Sequence, residues 1–356
     1  MMNSLLNTEP SEAWLFDNSK PIRALLKRTG IQDLLEVNGV TEVTMNRPRE
    51  LWFEREAVWN RVAAPDLNFE LASMLARALA VQVSDKSSQL EHYPICPVLL
   101  PDGERGQIVM PPATERGCVS LTIRKPTHIR FSLEDYRDSG RLKDVKVVHK
   151  KTDIEDWQKE MVQCVKRGDY YNFFKLAVFH KQNMIFGGQT GSGKTTFAKA
   201  IVDLYPPDRR YITIEDVHEL FMPNHPNRVH LFFNNSKDKD GNPILPSKDL
   251  VQSCMRMKGD HIFMSELRGE ETWDYFALLK TGHDGSITTA HFGDVDYCVP
   301  RLTQLVKESR TGASLDQKFV HHEIASSLDI ITKWEGSYLK QIRYEPEEKL
   351  ELLQCA

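Results

Sequence analysis

What this chain of 356 residues lacks already narrows its chemistry. It has no C-x-x-C pair: Cys96, Cys118, Cys164, Cys254, Cys298 and Cys355 are scattered. A zinc ribbon or a disulfide scaffold is therefore not expected, and reduced thiols are the simpler reading. No stretch approaches the ~20 apolar residues that a bilayer crossing needs, and mean hydropathy is -0.44. The start, MMNSLLNTEPSEAW, has no basic region followed by an apolar one, so no secretory signal is expected. Positive charge is not in excess either. Lys and Arg number 46 against 50 Asp and Glu, a net charge of -4, where a protein that coats nucleic acid would be basic. There is no internal repeat and no low-complexity tract. The remaining composition, 40% hydrophobic and 27% charged, is that of a soluble, cytosolic, globular protein long enough for two or three domains.

The first part reads as mixed helix and strand. Pro21 to Lys27 carries Ile22, Leu25 and Leu26 at helical spacing, with Gly30 to end the turn. VTEVTM and ELWFE are strand-like and separated by Asn46-Arg47-Pro48. NFELASMLARALAV puts Phe69, Leu71, Leu75 and Leu79 on one side of a helix. A hairpin follows, PVLL and RGQIVM around Pro101-Asp102-Gly103, then SLTIRK. These runs predict an α+β domain over 1–130. Residues 131–168 are crowded with alternating charges and read as a linker or an exposed helix. From 169 to 356 strand, turn and helix alternate: NMIF, YITI, RVHLFF, HIFM and SITTA, with helical segments between some of them. That alternation predicts an α/β domain with a mainly parallel sheet, ending in the hairpin LDIITKW and YLKQIRY.

The most specific motif is Gly188-Gln189-Thr190-Gly191-Ser192-Gly193-Lys194-Thr195, a match to G-x-x-x-x-G-K-[ST], followed by Thr196. A buried strand enters it and a helix leaves it. The glycines let backbone N–H groups curl round phosphate oxygens, and the helix N-terminus adds a favourable dipole. Lys194 is expected to reach the β- and γ-phosphates, and Thr195 to hold Mg²⁺ through its hydroxyl. ATP and Mg²⁺ are the ligands implied.

Hydrolysis also calls for carboxylates at strand ends. HIFMSELRGEE offers Glu266, then Arg268, Glu270 and Glu271. YITIEDVHEL offers Glu215 and Asp216, with Glu219 one helical turn on. Carboxyl ends of parallel strands are where open α/β sheets bind ligands. In TGHDGSITTAH, His283 and His291 flank a short β-branched strand, and a histidine at a strand end could sense the γ-phosphate.

Together these blocks resemble the type II/type IV secretion ATPases, and within that family the hexameric traffic ATPases of bacterial type IV secretion systems. The resemblance rests on GGQTGSGKTT at 187–196, TIEDVHEL at 213–220, SELRGEE at 265–271 and TGHDGSITTAHF at 281–292. They stand in the order of the Walker A, Asp, Walker B and His boxes. It implies a RecA-like fold for 169–356 and ATP hydrolysis driving secretion or pilus assembly. Lys194 and Thr195 then bind phosphate and metal, and Glu266 activates water. Glu215 and Asp216 lie on the metal and γ-phosphate side, with Thr195, Glu215 and Glu266 around the metal. His291 becomes the γ-phosphate sensor, and Arg105 and Arg124 approach the phosphates from the first domain. The implied partners are five further copies of the chain, inner-membrane secretion components and a secreted substrate, at the cytoplasmic face of the inner membrane. Nucleic acid is not expected as the main ligand. The chain departs from the pattern at Met264-Ser265-Glu266, which lacks an aspartate before the glutamate. It also lacks the four-cysteine zinc module of the type II branch and the long helical C-terminus of retraction motors. Two other readings stay open: an assembly switch with incidental hydrolysis, and a RecA-like nucleic-acid motor.

Overall fold

Strand alternation in the first half produces a sheet with two differently buried faces. The computed structural model describes residues 19–354 apart from 84–89, 91–92, 127–129, 148–152 and 242; Cys355 lies outside these. Helices α1 (Lys20–Arg28) and α2 (Ile31–Leu35) precede strands β1 (Val40–Met45), β2 (Glu50–Arg55) and β3 (Val58–Ala63). Helix α3 (Phe69–Val83) then leads to β4 (Ile95–Leu99), β5 (Arg105–Val109) and β6 (Ser120–Arg124). The six strands form one sheet in the order β3-β2-β1-β6-β5-β4, antiparallel throughout. One face presents Val43, Ile108 and Ile123 to Ile22, Leu75 and Leu79 of the helices. The alternate residues Thr44, Gln107 and Thr122 would ordinarily face water, yet they too are buried. They are covered by the second half of the chain.

That half begins with α4 (Leu133–Asp138), α5 (Asp156–Arg167) and α6 (Tyr170–Phe179). The charged segment thus ends in a helix rather than an extended linker. Met161 and Cys164 of α5 are buried in one cluster with Phe173 and Phe186, and Trp157 stacks on His180. Next come β7 (Met184–Gly188), α7 (Lys194–Val202), β8 (Tyr211–Glu215) and β9 (Arg228–Phe232). A small hairpin, β10 (Asn234–Lys237) and β11 (Pro243–Leu245), precedes α8 (Ser247–Cys254), β12 (His261–Met264), α9 (Glu271–Leu279) and β13 (Ile287–Ala290). Helices α10 (Cys298–Glu308) and α11 (Gln317–Ser327), strands β14 (Ile330–Glu335) and β15 (Tyr338–Arg343), and helix α12 (Pro346–Gln354) complete the order. Strands β12, β8 and β9 pair in parallel, as do β13, β7 and β14, with β15 antiparallel at the edge. A parallel bridge between Leu267 and Ala290 joins the two groups beyond the strand ends. Apolar side chains of α8, α9, α10 and α11 fill one face and those of α5, α6 and α7 the other, so these strands are covered on both sides. The chain is therefore an α/β protein with mixed sheets. Among the described residues no helix is long and apolar enough to cross a membrane.

Arg210 locks the halves together. It is fully buried, and burial pulls its guanidinium down to about 10. Nη1 donates to Asn46 Oδ1 at 2.7 Å and Asn227 Oδ1 at 2.8 Å, Nη2 to Thr122 Oγ1 at 3.1 Å, and Nε to the Met257 carbonyl at 2.8 Å. Thr44 and Thr122 of the polar face of the first sheet meet this side chain, while Gln107 reaches Ser253. Arg210→Met strands several buried acceptors at ~1–3 kcal/mol each. It is expected to destabilise the fold by roughly 3 kcal/mol or more, read as a lower urea midpoint; an unchanged midpoint would refute the role.

Candidate active site

Every residue of β7 is buried, and the chain leaves it through a loop that only glycine can build. Gly188 has φ 145°, and a Cβ there would lie 2.3 Å from the Trp334 carbonyl oxygen; Gly193, which caps α7, has φ 91°. Gln189, Thr190, Gly191 and Thr196 are exposed, while Ser192 Oγ is buried without a partner. Lys194 opens the helix. Its Nζ donates to the Gly188 carbonyl at 2.9 Å and the Gln189 carbonyl at 2.8 Å. Burial lowers its pKa, and the nearby Glu266 charge opposes that. Thr195 Oγ1 donates to Glu219 Oε2 at 3.1 Å.

The parallel register carries His291 to the loop. Ala290 of β13 pairs with Gly187 of β7, so the next residue arrives beside Gly188. His291 Nδ1 lies 2.8 Å from the Gly188 carbonyl oxygen and Nε2 lies 2.8 Å from Glu266 Oε1. Arg268 pairs with the other oxygen of Glu266, and its Nη1 reaches Asp216 Oδ2 at 2.9 Å. One polar chain therefore runs from Asp216 through Arg268, Glu266 and His291 to the carbonyl that also holds Lys194. Arg268 was not among the residues expected here from sequence. Its signal was its position two residues past a strand-end glutamate.

Glu215 differs from expectation. It is fully buried and its oxygens are already taken: Oε1 accepts from Thr213 Oγ1 at 2.6 Å, and Oε2 from the N–H groups of Glu219 at 2.7 Å and Leu220 at 2.9 Å. Burial would raise its pKa, but these bonds and His230 hold the carboxyl below its ordinary range. Such a carboxylate shapes the 216–220 turn rather than facing a cation. The carboxylate in contact with Thr195 is Glu219, four residues on. His283 precedes β13, bonds Thr281 through Nδ1 at 2.9 Å, and lies at the opposite end of that strand from the loop.

Arg105 and Arg124 stand opposite each other on β5 and β6 and line a cavity with Met255, Arg256 and Lys258. Arg124 Nε is 3.7 Å from Glu42 Oε1. Among the described residues, neither arginine has a hydrogen bond or ion pair to residues 188–196. Burial pushes the Glu42 carboxyl up to about 7, against the opposing charge of Arg124.

The donor set suits a nucleotide with its metal. A loop crowded at Gly188 and Gly193, an unpartnered buried hydroxyl at Ser192 and a buried lysine at a helix N-terminus fit phosphate oxygens. The Thr195 hydroxyl and Glu219 carboxylate, in contact with each other, are oxygen donors of the kind that suits Mg²⁺.

Comparison with known proteins places the chain in a family. The family described as Type II/IV secretion system protein matches residues 155–334. Type IV secretion system protein VirB11 of Brucella abortus (strain 2308) is 38% identical over 317 residues, 87% of this chain and 86% of the relative. Protein VirB11 of Agrobacterium tumefaciens (strain 15955) is 32% identical over 313 residues, 87% and 88% of the two chains. The crystal structure of the VirB11 ATPase from the Brucella suis type IV secretion system, in complex with sulphate, superimposes with a TM-score of 0.85 at 34% identity. That match covers 95% of this chain and 98% of the other. With the four boxes in order and a related structure matching nearly end to end, the chain belongs to the type II/IV secretion ATPase family.

Proposed function

We propose that this chain hydrolyses ATP–Mg²⁺ and couples the reaction to domain motion that powers type IV secretion, as substrate transfer or pilus assembly. The observation that carries the reading is the Glu266 carboxylate, held beside the phosphate loop between His291 and Arg268. A carboxylate so held suits orienting the attacking water and accepting its proton. The N–H groups of residues 189–193 and the Lys194 ammonium bind the phosphates, and Thr195 with Glu219 holds the metal. When bound, the ion neutralises charge on the phosphate oxygens. His291 touches both Glu266 and the Gly188 carbonyl, so it is suited to sensing the γ-phosphate. Arg268 ties Glu266 to Asp216, which lets a change at one strand end reach the next.

In this reading residues 169–356 are a RecA-like ATPase domain and 1–130 a smaller α+β domain, with 131–168 between them. The working form is a homohexameric ring at the cytoplasmic face of the inner membrane, with membrane-embedded secretion components and a secreted protein as partners. In the ring Arg105 and Arg124 would act at a neighbouring subunit's phosphates, where fixed positive charge stabilises the transferring group. Native mass measured with and without ATP–Mg²⁺ tests the assembly: about six times the 41.0 kDa of one chain is expected with nucleotide. A monomer under both conditions would remove the ring and the trans role of the arginines together.

A further inference from the structure

A second cluster lies one residue from the active site and plays no part in the chemistry above. Glu115 in the loop after β5, His218 in the turn after β8, and His230 on β9 each offer a ligand atom within 4.8 Å of the other two. The rings of His218 and His230 have centroids 4.4 Å apart, and Phe221 and Phe232 flank His218 at 4.2 and 5.3 Å. Within this enclosure His218 Nε2 is buried and has no hydrogen-bond partner. Leaving such an atom unpaired costs ~1–3 kcal/mol, which a bound cation would offset.

Hydrogen-bond logic sets which nitrogen of His230 is the donor. The Thr213 hydroxyl donates its proton to Glu215 Oε1 at 2.6 Å, so toward His230 Nδ1, 2.8 Å away, its oxygen can only accept. The other neighbour of Nδ1 is Glu215 Oε1, at 3.3 Å, also an acceptor. Nδ1 therefore carries a proton, which makes Nε2 the ring nitrogen that can act as a ligand. A buried carboxylate orienting one ring nitrogen so that the other can bind is how proteins hold metal-ligating histidines. Glu115 is brought alongside by its neighbour: Thr114 bridges Leu231 and donates to the His230 carbonyl at 2.8 Å.

We infer that Glu115, His218 and His230 form a site for a zinc-class divalent cation, separate from the magnesium position at Thr195 and independent of the ATPase reading. Two imidazoles and one carboxylate select a borderline ion over the all-oxygen preference of Mg²⁺ or Ca²⁺, and three protein ligands leave a coordination position for water. Tetrahedral ligands at zinc lie about 3.3 Å apart, so closure from the present spacing requires side-chain movements of about 1 Å. The bound ion would staple the loop after β5, from the first sheet, to β9 and to the turn that carries Glu219.

The test uses the full chain, stripped with chelator and titrated with Zn²⁺ in excess Mg²⁺, with metal content measured after dialysis. One retained equivalent is expected, with slower backbone hydrogen exchange over 113–119 and 216–221. His218→Gln and Glu115→Gln are each expected to weaken binding at least about tenfold. Glu115 is only half-buried in a loop, so that variant keeps the question answerable should His218→Gln fail to fold. Cys118→Ser, which removes the half-buried thiol nearby in sequence, is expected to bind as the parent does. No retained zinc, affinity unchanged in both ligand variants, or loss only in Cys118→Ser would each overturn the site.

Discussion

Lys194→Ala is expected to abolish ATP turnover while the chain stays folded. The ammonium sits in the crook of the loop, bonded to the carbonyls of Gly188 and Gln189, at the start of a nine-residue helix. Incoming phosphate oxygens would exchange those two carbonyl contacts for charge-assisted ones at a buried ammonium, where each is worth more than in solvent. Removing one preorganised donor to developing charge typically costs 10²–10³ in rate, about 3–4 kcal/mol of transition-state stabilisation. A loss of at least about a hundredfold in phosphate release is therefore expected, together with weaker nucleotide binding. Stability should change little. Alanine is the best helix former, the lost hydrogen bonds are worth about 1 kcal/mol each, and the native site already disfavours the cation through burial. The checks are phosphate release, binding of a fluorescent nucleotide and a thermal melt on one preparation. Turnover within about twofold of the parent would show that the loop is not where the reaction happens.

How much of this was legible from the chain alone divides by the range of the interactions. The phosphate loop and the strands that end beside it depend on local pattern: glycine at left-handed positions, a β-branched run, a helix start. Those were readable. Arg268 and Glu219 were harder, because each follows a more obvious carboxylate by a few residues, Glu266 and Glu215 respectively. What selects between Glu215 and Glu219 is burial. Glu215 sits at the inner end of β8, where Thr213, His230 and two backbone N–H groups consume it, and Glu219 is the residue that emerges toward Thr195. Side-chain type cannot distinguish these fates. For α5 a linker or an exposed helix was left open and the buried face was overlooked, because the charges of 131–168 dominate the segment, although Trp157, Met161, Cys164 and Val165 already marked one apolar stripe. The Arg210 junction was out of reach. Its partners Thr44, Asn46, Thr122 and Asn227 are far apart in sequence, and alternating polar residues on a strand ordinarily signify solvent.

Glu266→Gln separates binding from chemistry. Glutamine has nearly the same shape, so the amide oxygen can keep accepting from Arg268 while its NH₂ turns to His291 Nε2. His291 then donates from Nδ1 to the Gly188 carbonyl, and the loop keeps its geometry. What disappears is the negative charge and the ability to take a proton from water, worth typically 10²–10⁴ in rate. The expected result is a loss of turnover in that range with nucleotide affinity retained within a few-fold and native mass unchanged, in contrast to Lys194→Ala, where binding falls too. The variant also decides the question raised by Met264-Ser265-Glu266, where the strand has no aspartate ahead of the glutamate. If turnover fell by less than about tenfold, the water would have to be served by another carboxylate. Glu219 is the residue in contact with Thr195, and Glu219→Gln would then take the larger loss. If Glu266→Gln traps nucleotide without splitting it, the division of labour follows the contacts seen here: Glu266 on the water, Glu219 on the metal, and Glu215 beneath them holding the turn.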